Sequence, residues 1–169
     1  AQKNAVYYLH KFGTTHEQED YDRFLGFLNI QEGDKIARLE LEKKNPDLEI
    51  ARQGLLIGEN HPEDVDGMIK LFRRFRKIYY IDQAIQIWAK GDFLIYNLRH
   101  HANVLHNEIS SGKPSSTKIL YTLAIIDALN SQLTILENKF SHTLGEGSRW
   151  LEGLILKTLF ILALTVECT

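Results

Sequence analysis

Three of the chain's seven histidines, His100, His101 and His106, lie close together in the sequence. Imidazole nitrogens bind zinc and related metals, and a helical metal site usually takes two ligands four residues apart, on one face. These histidines are instead one, five and six residues apart, so a helix would point them in different directions. The sequence therefore predicts no metal site.

Catalysis by these or other polar residues is also not indicated. The text LRHHAN around His100 lacks the lysine and small residues that usually follow a phosphorylated histidine. Asp34 with Arg38, and Asp64 with His61, could serve as acid–base pairs. Both carboxylates look more like charges placed at helix N-termini, where negative charge is favoured. No nucleophile elbow, phosphate loop, dinucleotide fingerprint or Glu-x-x-His di-iron motif occurs. We expect no catalytic residue in this chain and no cofactor.

A dense basic run between residues 70 and 77 raises the hypothesis of nucleic-acid binding. The helical pattern places Phe72, Phe75 and Tyr79 on a buried stripe, which would leave the basic side chains on the solvated face. Net charge is −2 and the sequence pI is about 6.4, without the positive surplus typical of such proteins. No nucleic-acid partner is predicted, although one or two arginines could contact an anion or a carboxylate.

Composition indicates one globular domain over residues 1–169. Hydrophobic residues make up 44% and charged residues 25%, which suits a soluble domain with one sizeable core. The single cysteine, Cys168, excludes a disulfide framework.

Apolar residues recur at steps of three and four almost everywhere, which predicts an all-α bundle of long antiparallel helices. The long helices are expected at about 62–110, 116–144 and 148–169, with a break at Gly145–Gly147. A smaller cap of short helices is expected at about 14–60. Its predicted boundaries are a capping box at Thr15 with Gln18, helix starts at Gly33-Asp34, Asn45-Pro46 and His61-Pro62, and a stop at Gly58.

The last helix carries apolar residues all around, from Leu154 to Val166, with Lys157 as the only charge. A surface helix should have a polar face, and a span of a bilayer needs about 20 apolar residues. Two interpretations follow: a helix buried at the centre of the bundle, or a helix whose end enters a membrane. We favour the second, because the apolar run reaches the end of the sequence without a cap or stop signal.

Four segments are similar to the N-terminal sensor regions of bacterial membrane-bound histidine kinases and diguanylate cyclases. They are GDKIAR from residue 33, GENHPED from 58, IWAKGD from 87 and FSHTLGEGSRW from 140. The likeness extends to about residue 150. It implies a sensor domain between two transmembrane helices of the bacterial inner membrane, facing the periplasm or exterior. It also implies a homodimer and a cytoplasmic output domain, to which any enzymatic activity would belong.

Polar residues that interrupt the apolar pattern beside aromatic residues are the candidates for binding a small-molecule ligand, with an anion among the options. They are Arg38, Arg52, Asn60, His61, Trp88, Asp92 and Arg99. Each has an alternative role as a helix cap or a surface ion pair. If they form the site, Arg38→Ala or Trp88→Ala should abolish stabilisation by ligand without unfolding the domain.

A second hypothesis is a cytoplasmic helical module that binds a partner helix in a groove. Hydrophilic sequence on both sides of the chain would favour this module, and about 20 apolar residues on each side would favour the receptor.

Overall fold

The computed structural model describes the backbone of residues 2–167 and the side chains of residues 3–158. Helix accounts for 88% of the structure. Within the described residues there are six helices and no β-strand, which confirms the predicted all-α bundle. The helices are α1 Gln2–Thr15, α2 Gln18–Glu42, α3 Leu48–Ile57, α4 Pro62–Phe75, α5 Tyr79–Ser110 and α6 Ser116–Glu167.

The main core is a four-helix arrangement of α1, the first half of α2, the second half of α5 and the first half of α6. Each helix contributes fully buried side chains, among them Phe12, Phe24, Leu98, Leu105 and Ile126. Burying one such side chain contributes about 1.5–3 kcal/mol. The bundle is therefore stabilised chiefly by apolar contacts along its axis.

Polar contacts establish that neighbouring helices of the bundle are antiparallel. Lys11 of α1 lies 2.7 Å from Asp20 of α2, across the short connection between these helices. Lys118 of α6 lies 3.1 Å from Glu108 of α5, across the connection at residues 111–115. Short connections between helices produce this up-and-down order.

A second, separate core joins α3 and α4 to the second half of α2. Its buried residues include Ala37, Leu55, Val65 and Phe72. The backbones of α2 and α3 approach closely where Gly33 and Gly54 face each other. A Cβ atom at Gly33 would lie 2.7 Å from the Gly54 oxygen, so only glycine fits there.

Side chains close the ends of the short helices. The Asp47 carboxylate accepts hydrogen bonds from the backbone of Glu49 and Ile50, and the His61 ring accepts one from the Glu63 backbone. These are N-cap contacts, which satisfy backbone N–H groups that have no partner within the helix. Arg76, just after α4, donates to the backbone oxygens at the end of α2.

Several predicted boundaries at residues 14–60 are wrong. Thr15 ends α1 instead of capping α2, and it donates a hydrogen bond to the carboxylate of Asp20. No helix begins at Gly33, because α2 runs without interruption to Glu42. The cap of α3 is Asp47, one residue after Pro46. The predicted stop at Gly58 and start at His61 agree with the structure.

The long helices also differ from the prediction. The helix expected over 62–110 is two helices, α4 and α5, separated at residues 76–78. The expected break at Gly145–Gly147 is absent, since α6 continues through it. A Cβ atom at Gly147 would lie 3.0 Å from the Cβ of Tyr80. This glycine therefore permits close packing of α5 on α6, and cooperative helix propagation tolerates its low helix propensity.

From Leu151 onward, the described part of α6 exposes apolar side chains. Trp150 still contacts Tyr80, with ring centroids 6.2 Å apart, whereas Leu151, Leu154 and Ile155 are about half exposed. Of the described residues, the stretch Ser116–Thr158 alone is long and apolar enough to cross a bilayer, although a buried core helix has the same composition. The side chains of residues 159–166, and Cys168, lie outside the described residues.

Candidate functional site

Two adjoining cavities lie between the second core and helices α5 and α6, and side chains of all these elements line them. The smaller cavity has a volume of about 440 Å³ and the larger about 620 Å³. Met68, Trp88, Phe140 and Leu144 line both cavities, so these four side chains form a common wall. Three helices, α4, α5 and α6, contribute to that wall. The cavities lie where the apolar packing of the two cores is interrupted, as is usual for small-molecule sites.

A buried ion pair lies beside the cavities. The guanidinium of Arg38, in α2, donates to the carboxylates of Asp92, in α5, and Glu42. Arg38 is 5% exposed, and its Nε has no hydrogen-bond partner among the described residues. Asp92 lines the smaller cavity and Arg38 the larger. Burial of a charge requires such pairing, so this contact holds α2 and α5 in a defined register.

Asp34 and Asn60 form the polar end of the smaller cavity. The Asn60 side-chain amide donates to the Asp34 carboxylate at 3.0 Å and to the Leu55 backbone oxygen at 2.9 Å. Partial burial raises the pKa of Asp34 to about 6, and the nearby negative charge of Asp92 adds to this effect. Asp34 is therefore a carboxylate that titrates close to neutral pH inside a cavity.

Two aromatic side chains, Trp88 and Phe140, belong to the wall that the two cavities share. The rings of Trp88 and Phe140 meet edge to face, with centroids 6.4 Å apart and planes at 74°. This arrangement is favourable between aromatic rings and keeps both in place. The cavities thus combine carboxylates at one end with aromatic and aliphatic surface along the side.

The structure brings together four of the seven predicted site residues. Arg38, Asn60, Trp88 and Asp92 line one or both cavities, although they come from α2, the α3–α4 connection and α5. Whether they bind a ligand stays a prediction. Their convergence follows from the packing of α2 against α5.

The remaining three predicted residues lie elsewhere. Arg52 forms an exposed ion pair with Asp66 of α4. His61 caps α4, and Arg99 pairs with Glu32 of α2. These are the cap and ion-pair roles that the sequence left open for each candidate.

Several lining residues were not among the predicted site residues. Asp34 was interpreted as a charge at a helix start, whereas it lies inside α2. Others in the smaller cavity include Gln31, Met68, Glu137, Phe140 and Leu144. One sequence feature could have identified two of these lining residues: Asp34 and Glu137 each lie next to apolar positions of their helices. That pattern also occurs on ordinary exposed faces, so it was not distinctive.

The histidines have structural contacts. The His106 ring lies at a tilt to the Tyr21 ring, with centroids 4.3 Å apart, and its Nε2 lies 2.9 Å from the Gln18 side-chain oxygen. Burial lowers the pKa of His101. Among the side chains that the structure describes, those of residues 3–158, no group of three or more histidine, cysteine or acidic residues is arranged to hold a metal ion.

The basic run at residues 70–77 lies at the surface, where Arg76 contacts the end of α2 and the Arg74 guanidinium lies 5.6 Å from the centroid of the Phe75 ring. Phe72 is buried, as predicted. Phe75 and Tyr79 are 39% and 68% exposed, so the expectation that they lie on a buried stripe is wrong. The reason is the end of α4 at Phe75, which interrupts the periodicity.

The fold and cavity define an all-α helical bundle with a candidate ligand site. No protein-family model, curated protein or solved structure matches the chain. The similarity of four segments to receptor sensor regions therefore stays a prediction.

Proposed function

We propose that this chain is the ligand-sensing extracytoplasmic domain of a bacterial transmembrane signalling receptor. It would face the periplasm or exterior, act as a homodimer, and pass helix movement through the inner membrane to a cytoplasmic output domain. A histidine kinase of a two-component system, or a diguanylate cyclase, would be such an output. Its enzymatic activity would belong to the protein outside this chain.

The continuity of α6 carries this proposal. Phe140 and Leu144 of α6 line both cavities, and the same helix continues to the exposed apolar side chains of Leu151 and Ile155. Such exposed apolar surface favours a lipid or protein environment over water. A ligand in the cavities would therefore contact the helix that we infer to approach the membrane.

Signalling requires that the ligand favour one of two arrangements of α6 relative to α5. The wall formed by Trp88 and Phe140 is the contact through which ligand binding would bias that choice. Packed helices have discrete arrangements, so a small shift is transmitted along a rigid helix. A coupling free energy of about 1–3 kcal/mol is usual for such systems.

The test is the location of the intact gene product in its bacterium. We expect it to sediment with membranes and to resist alkaline washing. In spheroplasts, added protease should cleave at the exposed loop around Gly112 while a C-terminal tag stays protected. A washed-off or cytoplasmic product would contradict the receptor function.

A groove between α5 and α6 favours the second candidate, a cytoplasmic module that binds a partner helix. It has a volume of about 800 Å³ and is lined mainly by apolar side chains, including Ala89, Phe93, Ile135 and Leu136. Phe93 and Ile135 are both largely exposed. An amphipathic helix binds such surfaces through its apolar face. A soluble intact product that co-purifies with a partner protein would support this function instead.

A further inference from the structure

The charges around the smaller cavity are those of a site for a cation. Its described lining contains the carboxylates of Asp34, Asp92 and Glu137 and no lysine, arginine or histidine. The nearby guanidinium of Arg38 is already paired with Asp92 and with Glu42. A cavity lined by charges of one sign concentrates ions of the opposite sign. A bound anion would be repelled at this end.

Asp34 is the carboxylate best placed to bind the positive charge. It is partly buried, it accepts a hydrogen bond from Asn60, and no cationic side chain among the described residues lies within ion-pair distance of it. A partly buried charge without a counter-charge costs free energy. A cation bound against Asp34 would remove part of that cost.

The aromatic wall favours an organic cation over a metal ion. Trp88 and Phe140 line the same cavity as Asp34. Ammonium groups bind well against the faces of aromatic rings, and tryptophan is the strongest partner. The adjoining larger cavity is lined by Arg38 and Asp64 and otherwise mainly by apolar side chains such as Leu41 and Phe72, so it provides room for a hydrocarbon body.

We propose that the two cavities together bind an amphipathic organic cation, an amine or quaternary ammonium compound. Its charged head would lie between Asp34 and Trp88, and its apolar body would extend past Met68 into the larger cavity. This inference rests on the proposed sensing function and specifies the ligand class. It replaces the anion that the arginines in the sequence suggested.

Proton release on binding is a consequence that can be measured. The pKa of Asp34 in the empty cavity is about 6, raised by burial. A positive charge beside the carboxylate favours its ionised form and lowers that pKa. Binding near pH 6 should therefore release protons, and the affinity should decrease as the pH falls below 6.

The experiment compares three ring compounds of similar size on the purified chain: benzylamine, benzyl alcohol and benzoate. We expect benzylamine, and likewise benzyltrimethylammonium, to raise the melting temperature, whereas benzyl alcohol and benzoate should not. Calorimetry in buffers of different ionisation enthalpy should detect the released protons. Asp34→Asn should weaken benzylamine binding by roughly tenfold, which corresponds to about 1.4 kcal/mol.

Two further variants distinguish binding from folding effects. Trp88→Leu should weaken binding and Trp88→Phe should restore much of it, because a ring face is needed for the cation. Asp22→Asn, an exposed site on α2 outside the cavity lining, should bind like the parent chain. Stabilisation by benzoate alone would overturn the cation site, and so would an unchanged melting temperature with both benzylamine and benzyltrimethylammonium. Neither result would affect the membrane location of the intact protein, which tests the receptor function separately.

Discussion

The guanidinium of Arg38 and the carboxylate of Asp92 form an ion pair between α2 and α5, with side chains only 5% and 12% exposed. The pair lies beside the two cavities, between the main core and the second core. Removing one partner of such a pair leaves a buried charge without compensation. Arg38 is therefore a structural residue as well as a lining residue.

Replacing Arg38 should reveal this role. Because Arg38→Met strands the Asp92 carboxylate, we expect a loss of about 3–5 kcal/mol in the free energy of unfolding. Arg38→Met combined with Asp92→Leu should recover part of the loss. Urea denaturation at neutral pH measures both. This expectation differs from the one drawn from sequence, in which Arg38→Ala would leave the fold intact.

The exposed ion pair of Arg52 with Asp66 provides the control. Arg52→Ala should cost far less free energy of unfolding than the Arg38 variant, since solvent screens exposed pairs. Equal losses for the Arg38 and Arg52 variants would mean that the buried pair contributes no more than an exposed one.

Asp34→Asn should stabilise the empty protein above pH 6. Burial raises the pKa of Asp34 to about 6, from 3.8 in the unfolded chain, so the fold prefers the protonated carboxyl. The loss of folding free energy caused by the ionised Asp34 carboxylate is absent below pH 3.8, increases with pH, and is complete above pH 6. Partial exposure reduces the gain to on the order of 1 kcal/mol.

Thermal unfolding of both chains between pH about 4 and about 8 measures the effect. The two stability curves should converge at the acid end and separate as the pH rises. Parallel curves would show that Asp34 is not destabilising when ionised.

Alanine at Gly33 should destabilise the contact of α2 with α3. The new Cβ would lie 2.6 Å from the Gly58 nitrogen and 2.7 Å from the Gly54 oxygen, both backbone atoms that cannot rotate away. Overpacking of this kind costs about 1–3 kcal/mol. Gly26→Ala, in the same helix, meets nothing within 4 Å and should stabilise by up to about 1 kcal/mol. Chemical denaturation should give effects of opposite sign, and a gain at both positions would refute the close contact.

Glutamine at Leu151, Leu154 and Ile155 tests the role of the end of α6. These side chains are about half exposed, so the triple variant should melt at the temperature of the parent chain. In the intact protein the same change should reduce membrane association, because polar side chains are costly in lipid. Leu133→Gln, at a buried position of the same helix, should lower the melting temperature. A triple variant that unfolds early would show that this segment belongs to the core.

Local signals predicted the helix boundaries that depend on local chemistry. His61 and Gly58 were recognised as cap positions because capping uses only neighbouring backbone groups. Gly33 was misread as a helix start, and Gly147 as part of a break. Their small size serves contacts with Gly54 and Tyr80, which are remote in the sequence. The sequence shows that a glycine could end a helix. It does not show which remote residue leaves no room for a side chain at that position.

The candidate site shows the same division. Arg38, Trp88 and Asp92 were selected as polar or aromatic residues at unusual positions, yet Asp34 and Phe140 of the same cavities were not. One helix reveals which of its residues share a face, but not which residue of another helix lies opposite.

By itself, the sequence determined that this protein is helical, since a three- and four-residue apolar repeat buries one face only in a helix. Only the tertiary structure decided that Asp34, Trp88 and Phe140 share a cavity. The reason is that the rotation and register of packed helices depend on many weak side-chain contacts made together. No segment contains that information alone.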